Sequence, residues 1–150
     1  MARRAPPVCC EFVQCPAQAG CASQRRNGCV PAAVDPIDAP EICQAWGPEA
    51  RAALEARVRG LGVCLRNPAS KTHDEHGWVL ATVLLAGLDT NRELVIEGHD
   101  WSDRYRHDQG PYVKQERIAR VLGRGLHAAG AAELPRDFRR RHGTCPLAAR

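Results

Sequence analysis

Runs of apolar residues along the chain predict a small β-sheet. Trp78 to Leu85 is the strongest strand signal, because it combines aliphatic, aromatic and β-branched side chains, and we expect it to be the central strand. Val63 to Leu65 predicts a short second strand, and Val8 to Cys15 can form another, although its apolar and polar residues do not alternate cleanly. Asn27-Gly28 has the composition of a hairpin turn.

Three segments have the spacing of apolar residues that is typical of helices. The first begins at Gly47-Pro48, where proline suits the first turn, and it ends at Gly60. Asn91 to Gly98 predicts a two-turn helix capped by its first residue, and Gln115 to Leu122 predicts a final helix. The stripes expected to be apolar are Ala50, Leu54, Val58 and Leu61 in the first helix and Ile118, Val121 and Leu122 in the last. Early strands and late helices indicate an α+β fold.

Composition limits the class of protein. The chain has 150 residues, 44% of them hydrophobic, and a net charge of +4, which indicates one globular domain rather than a disordered chain. Its longest apolar run, Val79 to Leu85, is far shorter than the roughly 20 residues that span a bilayer, so no membrane contact is expected. Pro6, Pro7 and Glu11 interrupt any apolar signal-peptide core, so we expect a cytoplasmic protein, and a monomer.

Eight cysteines are unusual for such a chain, and six of them lie in the first 43 residues. No pair has the C-x-x-C spacing that structural zinc sites usually use. Besides a zinc site, the cysteines could form a disulfide framework or remain free thiols that pack as small apolar side chains. The expected reducing compartment favours free thiols.

Positive charge is concentrated near the carboxyl end. Residues 111–150 carry nine Lys or Arg and three acidic residues, a local charge of +6, whereas residues 1–110 sum to −2. The run from Phe138 to His142 contains three consecutive arginines, which can contact phosphates through a largely sequence-independent attraction. A solvated, frayed terminus is the alternative.

A short motif precedes the first predicted helix. It reads Ile37-Asp38-Ala39-Pro40-Glu41, followed by Gln44 and then by Gly47-Pro48-Glu49-Ala50. This order resembles the signature of the staphylococcal nuclease-like (thermonuclease) family. Further elements of the resemblance are Asp74, Gly77, Gly87, Asn91, Leu94-Val95, Gly98, Trp101, Tyr112, Glu116, Ala119-Arg120, Gly123 to Leu126 and Phe138-Arg139. The resemblance covers residues 27–141, leaving residues 1–26 as an unmatched segment with at most one irregular strand, and residues 142–150 as a tail.

The resemblance implies a fold and a reaction. The implied fold is a five-stranded oligonucleotide/oligosaccharide-binding barrel with about three helices, and the implied activity is Ca²⁺-assisted hydrolysis of phosphodiester bonds in DNA or RNA. Asp38 matches the family's metal-binding aspartate, and the backbone carbonyl of Ala39 is a second candidate ligand. Glu41 matches the general base. Without the resemblance, Asp38 and Glu41 also fit a surface turn in which the first caps the backbone and the second is solvated.

Three features of the family's site are missing from this sequence. Ala33 stands at the position of the first catalytic arginine, Trp78 stands at that of the second, and Ala17 to Gly20 replaces an acidic metal loop. Because an arginine that stabilises phosphoryl transfer is worth roughly 10³ to 10⁵ in rate, we expect impaired hydrolysis. The alternative is a non-catalytic nucleic-acid-binding or interaction domain on the same fold. A drifted or mis-started reading frame near the amino end is a third reading.

Basic and aromatic residues supply candidates for nucleic-acid contact. His76 stands where the family often has a tyrosine near the bound nucleotide, and it suits stacking on a base. Together with His73 it also invites a zinc assignment, against which a solvated loop is the simpler reading. Trp101 either joins the binding face or packs in the core. The candidate nucleic-acid-binding residues are His76, Arg104, Tyr105, Arg106 and Arg124.

Overall fold

The computed structural model describes residues 8–10, 30–66, 73, 79–104, 106–130, 132–143 and 145. The strands are β1 (Val8–Cys10), β2 (Val30–Val34), β3 (Ile37–Asp38), β4 (Val63–Arg66), β5 (Val79–Leu85), β6 (Leu88–Asp89) and β7 (Trp101–Ser102). The helices are α1 (Gly47–Val58), α2 (Thr90–Ile96), α3 (Val113–Val121) and α4 (Pro135–His142), with a 3₁₀ turn at Gly125–His127.

The strand β5 is the centre of the larger sheet, as its apolar sequence predicts. It pairs in parallel with β2 and antiparallel with β4 and β6, and β1 extends the sheet beyond β2. A separate antiparallel ladder joins β3 to β7. The α+β class is therefore confirmed, whereas the described strands do not close into a barrel. The described part has four helices instead of about three, because α4 follows the last one expected.

Two apolar clusters form the core around these sheets. Val58, Val63, Leu65, Ala81 and Val83 make one, where α1 packs on β4 and β5, and Ile37, Leu94, Val95 and Tyr112 make the other. Val34 and Leu54 pack against both clusters and so join them. The predicted stripe of α1 ends early, because Leu61 lies beyond the helix and is exposed.

The cap of α2 differs from the prediction. Asp89, not Asn91, caps this helix by accepting a hydrogen bond from the backbone of Arg92. Asn91 is fully buried, and its side chain accepts from the backbone of Val83 at 3.1 Å and donates to the carbonyl of Asp35 at 2.9 Å. Its amide therefore joins α2 to β5 and to the end of β2, which its position in the sequence does not reveal.

The helix α3 presents a face opposite to the predicted one. Ile118, Val121 and Leu122 are exposed, while Glu116 and Ala119 of the same helix are buried. The buried face is polar because Glu116 accepts hydrogen bonds from Arg104 and from the backbone of Ser102. The prediction that the apolar residues of this helix face the core is therefore wrong.

Disulfides replace the expected free thiols. Cys43 is bonded to Cys145, with the two Cα atoms 5.6 Å apart, and Cys64 is also disulfide-bonded. The free-thiol expectation is therefore wrong for these three residues. Of the helices described, none combines the length and the apolar character needed to cross a membrane.

Candidate active site

The loop between β3 and α1 holds Glu41 in a fixed turn. The backbone N–H of Glu41 donates to the side-chain oxygen of Gln44 at 3.1 Å, and the N–H of Gln44 donates back to the carbonyl of Glu41 at 2.8 Å. A Cβ atom at Gly47 would lie 2.0 Å from that same carbonyl oxygen, so the turn tolerates only glycine there. The start of α1 is thereby packed directly against the loop.

The carboxylate of Glu41 is buried and paired with a cation. Only 3% of the residue is exposed, and its Oε1 accepts a hydrogen bond from Nη1 of Arg139. Arg139 lies in α4, so its run of arginines forms a helix instead of a frayed terminus. The surface-turn reading, in which Glu41 is solvated, is wrong because the carboxyl-terminal helix covers this side chain.

Asp38 lies beside a second carboxylate that the sequence did not single out. It ends β3 and faces Trp101 of β7 in the ladder, and the residue before that tryptophan is Asp100. Asp100 is 3% exposed, and burial raises its pKa to about 7. The negative charge of Asp38 adds to this rise in pKa, and the positive charge of Arg57 opposes it. The two aspartates therefore share one electrostatic environment.

The oxygen ligands near Asp38 suit calcium in kind but not in number. Calcium takes roughly six to eight oxygen ligands, several of them carboxylates. Asp38 and Asp100 supply carboxylates, and the backbone of Ala39 follows directly. Within the described ranges, no three side chains of His, Cys, Asp or Glu come together as a metal site. These residues alone supply fewer oxygen ligands than calcium takes.

The candidate nucleic-acid-binding arginines have different surroundings. Arg104 is largely buried and donates to Glu116, which also pairs with Arg120 at 2.6 Å. Arg124 donates to the carbonyl of Ile96 at 3.0 Å and remains exposed. Arg106 is exposed in a left-handed backbone conformation. His76 and Tyr105 lie outside the described residues, so their roles stay predictions.

Curated proteins resemble about two thirds of this chain. It is 31% and 30% identical over 104 residues to two probable staphylococcal-like nucleases of Oryza sativa subsp. japonica, CAN2 and CAN3. It is 33% identical over 105 residues to an uncharacterized endonuclease of Haemophilus influenzae. Each match covers 69% of this chain. The chain belongs to the staphylococcal nuclease-like family. It matches 27% of the length of each rice protein and 57% of the bacterial one, and no family model matches it.

Three positions depart from the pattern expected of the staphylococcal nuclease-like family, and the structure describes one of them. Ala17 to Gly20 lies outside the described residues. Ala33 lies in β2, opposite Leu80 of the central strand. Trp78 precedes that strand and lies outside the described residues. Trp101 is 1% exposed and packs edge-on against His127, so its alternative role as a core residue is confirmed.

Two residues that interact with Glu41 and Asp38 were missed by sequence reasoning. Arg139 was counted with a basic run, although the resemblance already included Phe138-Arg139. For Asp100, the sequence offers only its position directly before Trp101, which the structure shows to be buried. Neither signal identifies a partner, because Arg139 is 98 residues from Glu41 and the pairing of Asp100 with Asp38 depends on the β3–β7 ladder.

Proposed function

We propose that this protein is a phosphodiesterase of the staphylococcal nuclease type that acts on DNA or RNA with low turnover. The observation that carries the proposal is the buried carboxylate of Glu41, which accepts a hydrogen bond from Arg139 and which the motif resemblance suggests as the general base. The five-stranded barrel that the resemblance implies belongs to the same proposal.

In the proposed reaction, Glu41 takes a proton from the attacking water. Its Oε1 accepts from Arg139, which leaves Oε2 as the oxygen that would receive the proton. Asp38 and the carbonyl of Ala39 would hold Ca²⁺, and Asp100 is the nearby carboxylate that would add to them. A bound Ca²⁺ ion would withdraw charge from the phosphoryl oxygens.

Low turnover follows from what surrounds these groups. An arginine that neutralises a phosphoryl transition state contributes roughly 10³ to 10⁵ in rate, and Ala33 and Trp78 stand at both family positions. Glu41 is also only 3% exposed, which limits the access of water to its carboxylate. We therefore expect slow cleavage that depends on calcium.

A non-catalytic nucleic-acid-binding domain is the second candidate. The exposed arginines of α4 favour it, because Arg136, Arg140 and Arg141 have more than half of their side chains in solvent. Such a surface attracts phosphates even without arginines at positions 33 and 78.

Several expectations stay predictions. They are the monomeric state, the cytoplasmic location and the nucleic-acid contacts of Arg104, Arg106 and Arg124. The disulfide between Cys43 and Cys145 is more typical of an oxidising compartment.

The two candidates differ in one assay. Fluorescent single-stranded DNA and RNA would be incubated with the protein in calcium and then in chelator, beside Glu41→Gln and the exposed control Glu49→Gln. Cleavage that needs calcium, disappears in Glu41→Gln and survives in Glu49→Gln supports the phosphodiesterase. Salt-sensitive binding without any cleavage supports the binding domain and contradicts the phosphodiesterase.

A further inference from the structure

The loop that carries Glu41 is attached to the carboxyl-terminal segment at three points. Arg139 donates to the Glu41 carboxylate, and the side-chain amide of Gln44 donates to the carbonyl of Glu133 at 2.6 Å. The third link is the disulfide bond between Cys43 and Cys145. The backbone N–H of Cys43 also donates to Sγ of Cys145 at 3.1 Å. All three contacts join residues 41–44 to residues 133–145.

These contacts hold the carboxylate of Glu41 from two sides. The side chain of Gln44 fixes the Glu41 backbone on one side and reaches the carboxyl-terminal segment on the other. The side chain of Glu41 is 4% exposed, and in the part of the chain that is described its one ion pair is with Arg139. A buried carboxylate needs such a partner, because its charge is otherwise neither hydrated nor compensated.

We infer that Arg139 is a positioning residue for Glu41 and that the Cys43–Cys145 disulfide keeps Arg139 in place. The inference rests on the proposed function, in which Glu41 is the general base. A base is most effective when a third group orients it, and Arg139 does this by binding Oε1 and leaving Oε2 for the water. The carboxyl-terminal helix is thus part of the active site. It supplies an arginine to the site, whereas positions 33 and 78 hold alanine and tryptophan.

The exposed neighbour Arg140 is a matched control for Arg139. Both arginines lie in α4, but the side chain of Arg140 is 79% exposed and its nearest carboxylate oxygen, on Asp137, is 3.7 Å away. The variants Arg139→Gln, Arg139→Lys and Arg140→Gln therefore change the same helix by similar chemistry. Arg139→Lys keeps the positive charge and loses only the planar fork, so it guards against a failure of Arg139→Gln to fold.

The kinetic test separates positioning from substrate binding. For calcium-dependent cleavage of an oligonucleotide, we expect Arg139→Gln to lower kcat about 100-fold with KM nearly unchanged, because a displaced catalytic group costs about that much. Arg139→Lys should recover part of the loss. Arg140→Gln, at an exposed arginine of the surface that can contact phosphates, should keep the wild-type kcat and change at most KM. Unchanged kcat in Arg139→Gln, a higher kcat, or a higher KM at constant kcat overturns the inference. No cleavage by the wild type overturns the proposed function and this inference together.

The disulfide is tested by a double-variant cycle. Cys43→Ser with Cys145→Ser removes the covalent link, and we expect a lower kcat in folded protein, as judged by near-ultraviolet circular dichroism. If the disulfide acts by holding Arg139, adding Arg139→Gln to these changes gives a protein no slower than Arg139→Gln alone. Multiplicative losses mean that the link acts independently of Arg139, which contradicts the second half of the inference.

Discussion

Asp38 and Glu41 lie three residues apart in the chain, yet each interacts with a different kind of charged group. Glu41 is buried beneath α4 and accepts a hydrogen bond from the guanidinium of Arg139. Asp38 is partly exposed at the end of β3, where its negative charge faces the buried carboxyl of Asp100. The Glu41 carboxylate is therefore paired with a cation, whereas the charge of Asp38 adds to the raised pKa of a buried carboxyl, so that Asp100 favours its protonated form.

This difference has a functional meaning for a metal-assisted hydrolase. A general base is useful when it is held in a fixed orientation, which a hydrogen bond from a neighbouring arginine provides. A metal site needs excess negative charge, which two neighbouring aspartates provide. In the proposed site, residues 38–41 connect the two, because the chain passes from Asp38 in the β3–β7 ladder to Glu41, which is paired with Arg139 of the carboxyl-terminal helix. Asp100 comes from the segment before β7.

Breaking the ion pair of Glu41 should have the largest effect on stability. In Arg139→Leu, the Glu41 carboxylate loses its cation while it remains buried, and removing one partner of a buried pair costs about 3 to 5 kcal/mol. We expect the free energy of unfolding in urea at neutral pH to fall by that amount. The midpoint of the transition is the primary measurement.

The double variant with leucine at both positions is the control for this prediction. It removes both charges at once, so we expect it to be close to the wild type in stability, or more stable. A single Arg139→Leu variant that loses less than about 1 kcal/mol would show that Glu41 reaches solvent, and the contrast with Asp38 would then disappear.

Asp100 predicts a dependence of stability on pH. Its folded pKa of about 7 lies above its ordinary value of 3.8, so the folded state binds this proton more tightly than the unfolded state does. The stabilisation is complete below about pH 4 and is lost as the pH rises towards 7, by roughly 4 kcal/mol at most. We expect Asp100→Asn to lack this loss, which urea unfolding at a series of pH values measures.

Removing the neighbouring charge sharpens the same comparison. Because Asp38 contributes to the raised pKa of Asp100, Asp38→Asn should make the loss of stability with pH smaller without abolishing it, since burial is the larger cause. Parallel curves for the wild type and Asp100→Asn would contradict the assignment. Added calcium should stabilise the wild type more than either variant, by mass action on the folded state.

The sequence predicts the elements whose signals are local. The strand β5 carries seven apolar or β-branched residues in a row, and α1 begins at a Gly-Pro pair, so both follow from neighbours along the chain. The motif around Asp38 and Glu41 was recognised for the same reason. Family resemblance then added a function that composition alone does not indicate.

Contacts between distant residues explain what the sequence did not predict. Glu116 is buried on α3 because Arg104 and Arg120 neutralise it there, which reverses the apolar pattern of that helix. Cys43 and Cys145 are 102 residues apart, and no spacing rule pairs them. The partner of Glu41 is set by where α4 packs, which depends on the whole fold.

Arg140→Gln should have the smallest effect and isolates burial as the cause of the largest one. Arg140 follows Arg139 in the same helix and carries the same charge, but its side chain lies mostly in solvent near Asp137. Exposed pairs are screened by water, so we expect a change in the free energy of unfolding within about 0.5 kcal/mol. Urea unfolding beside Arg139→Leu measures both. Equal losses in the two variants would mean that stability depends on the net charge of α4. The buried ion pair with Glu41 would then not be the cause of the loss in Arg139→Leu.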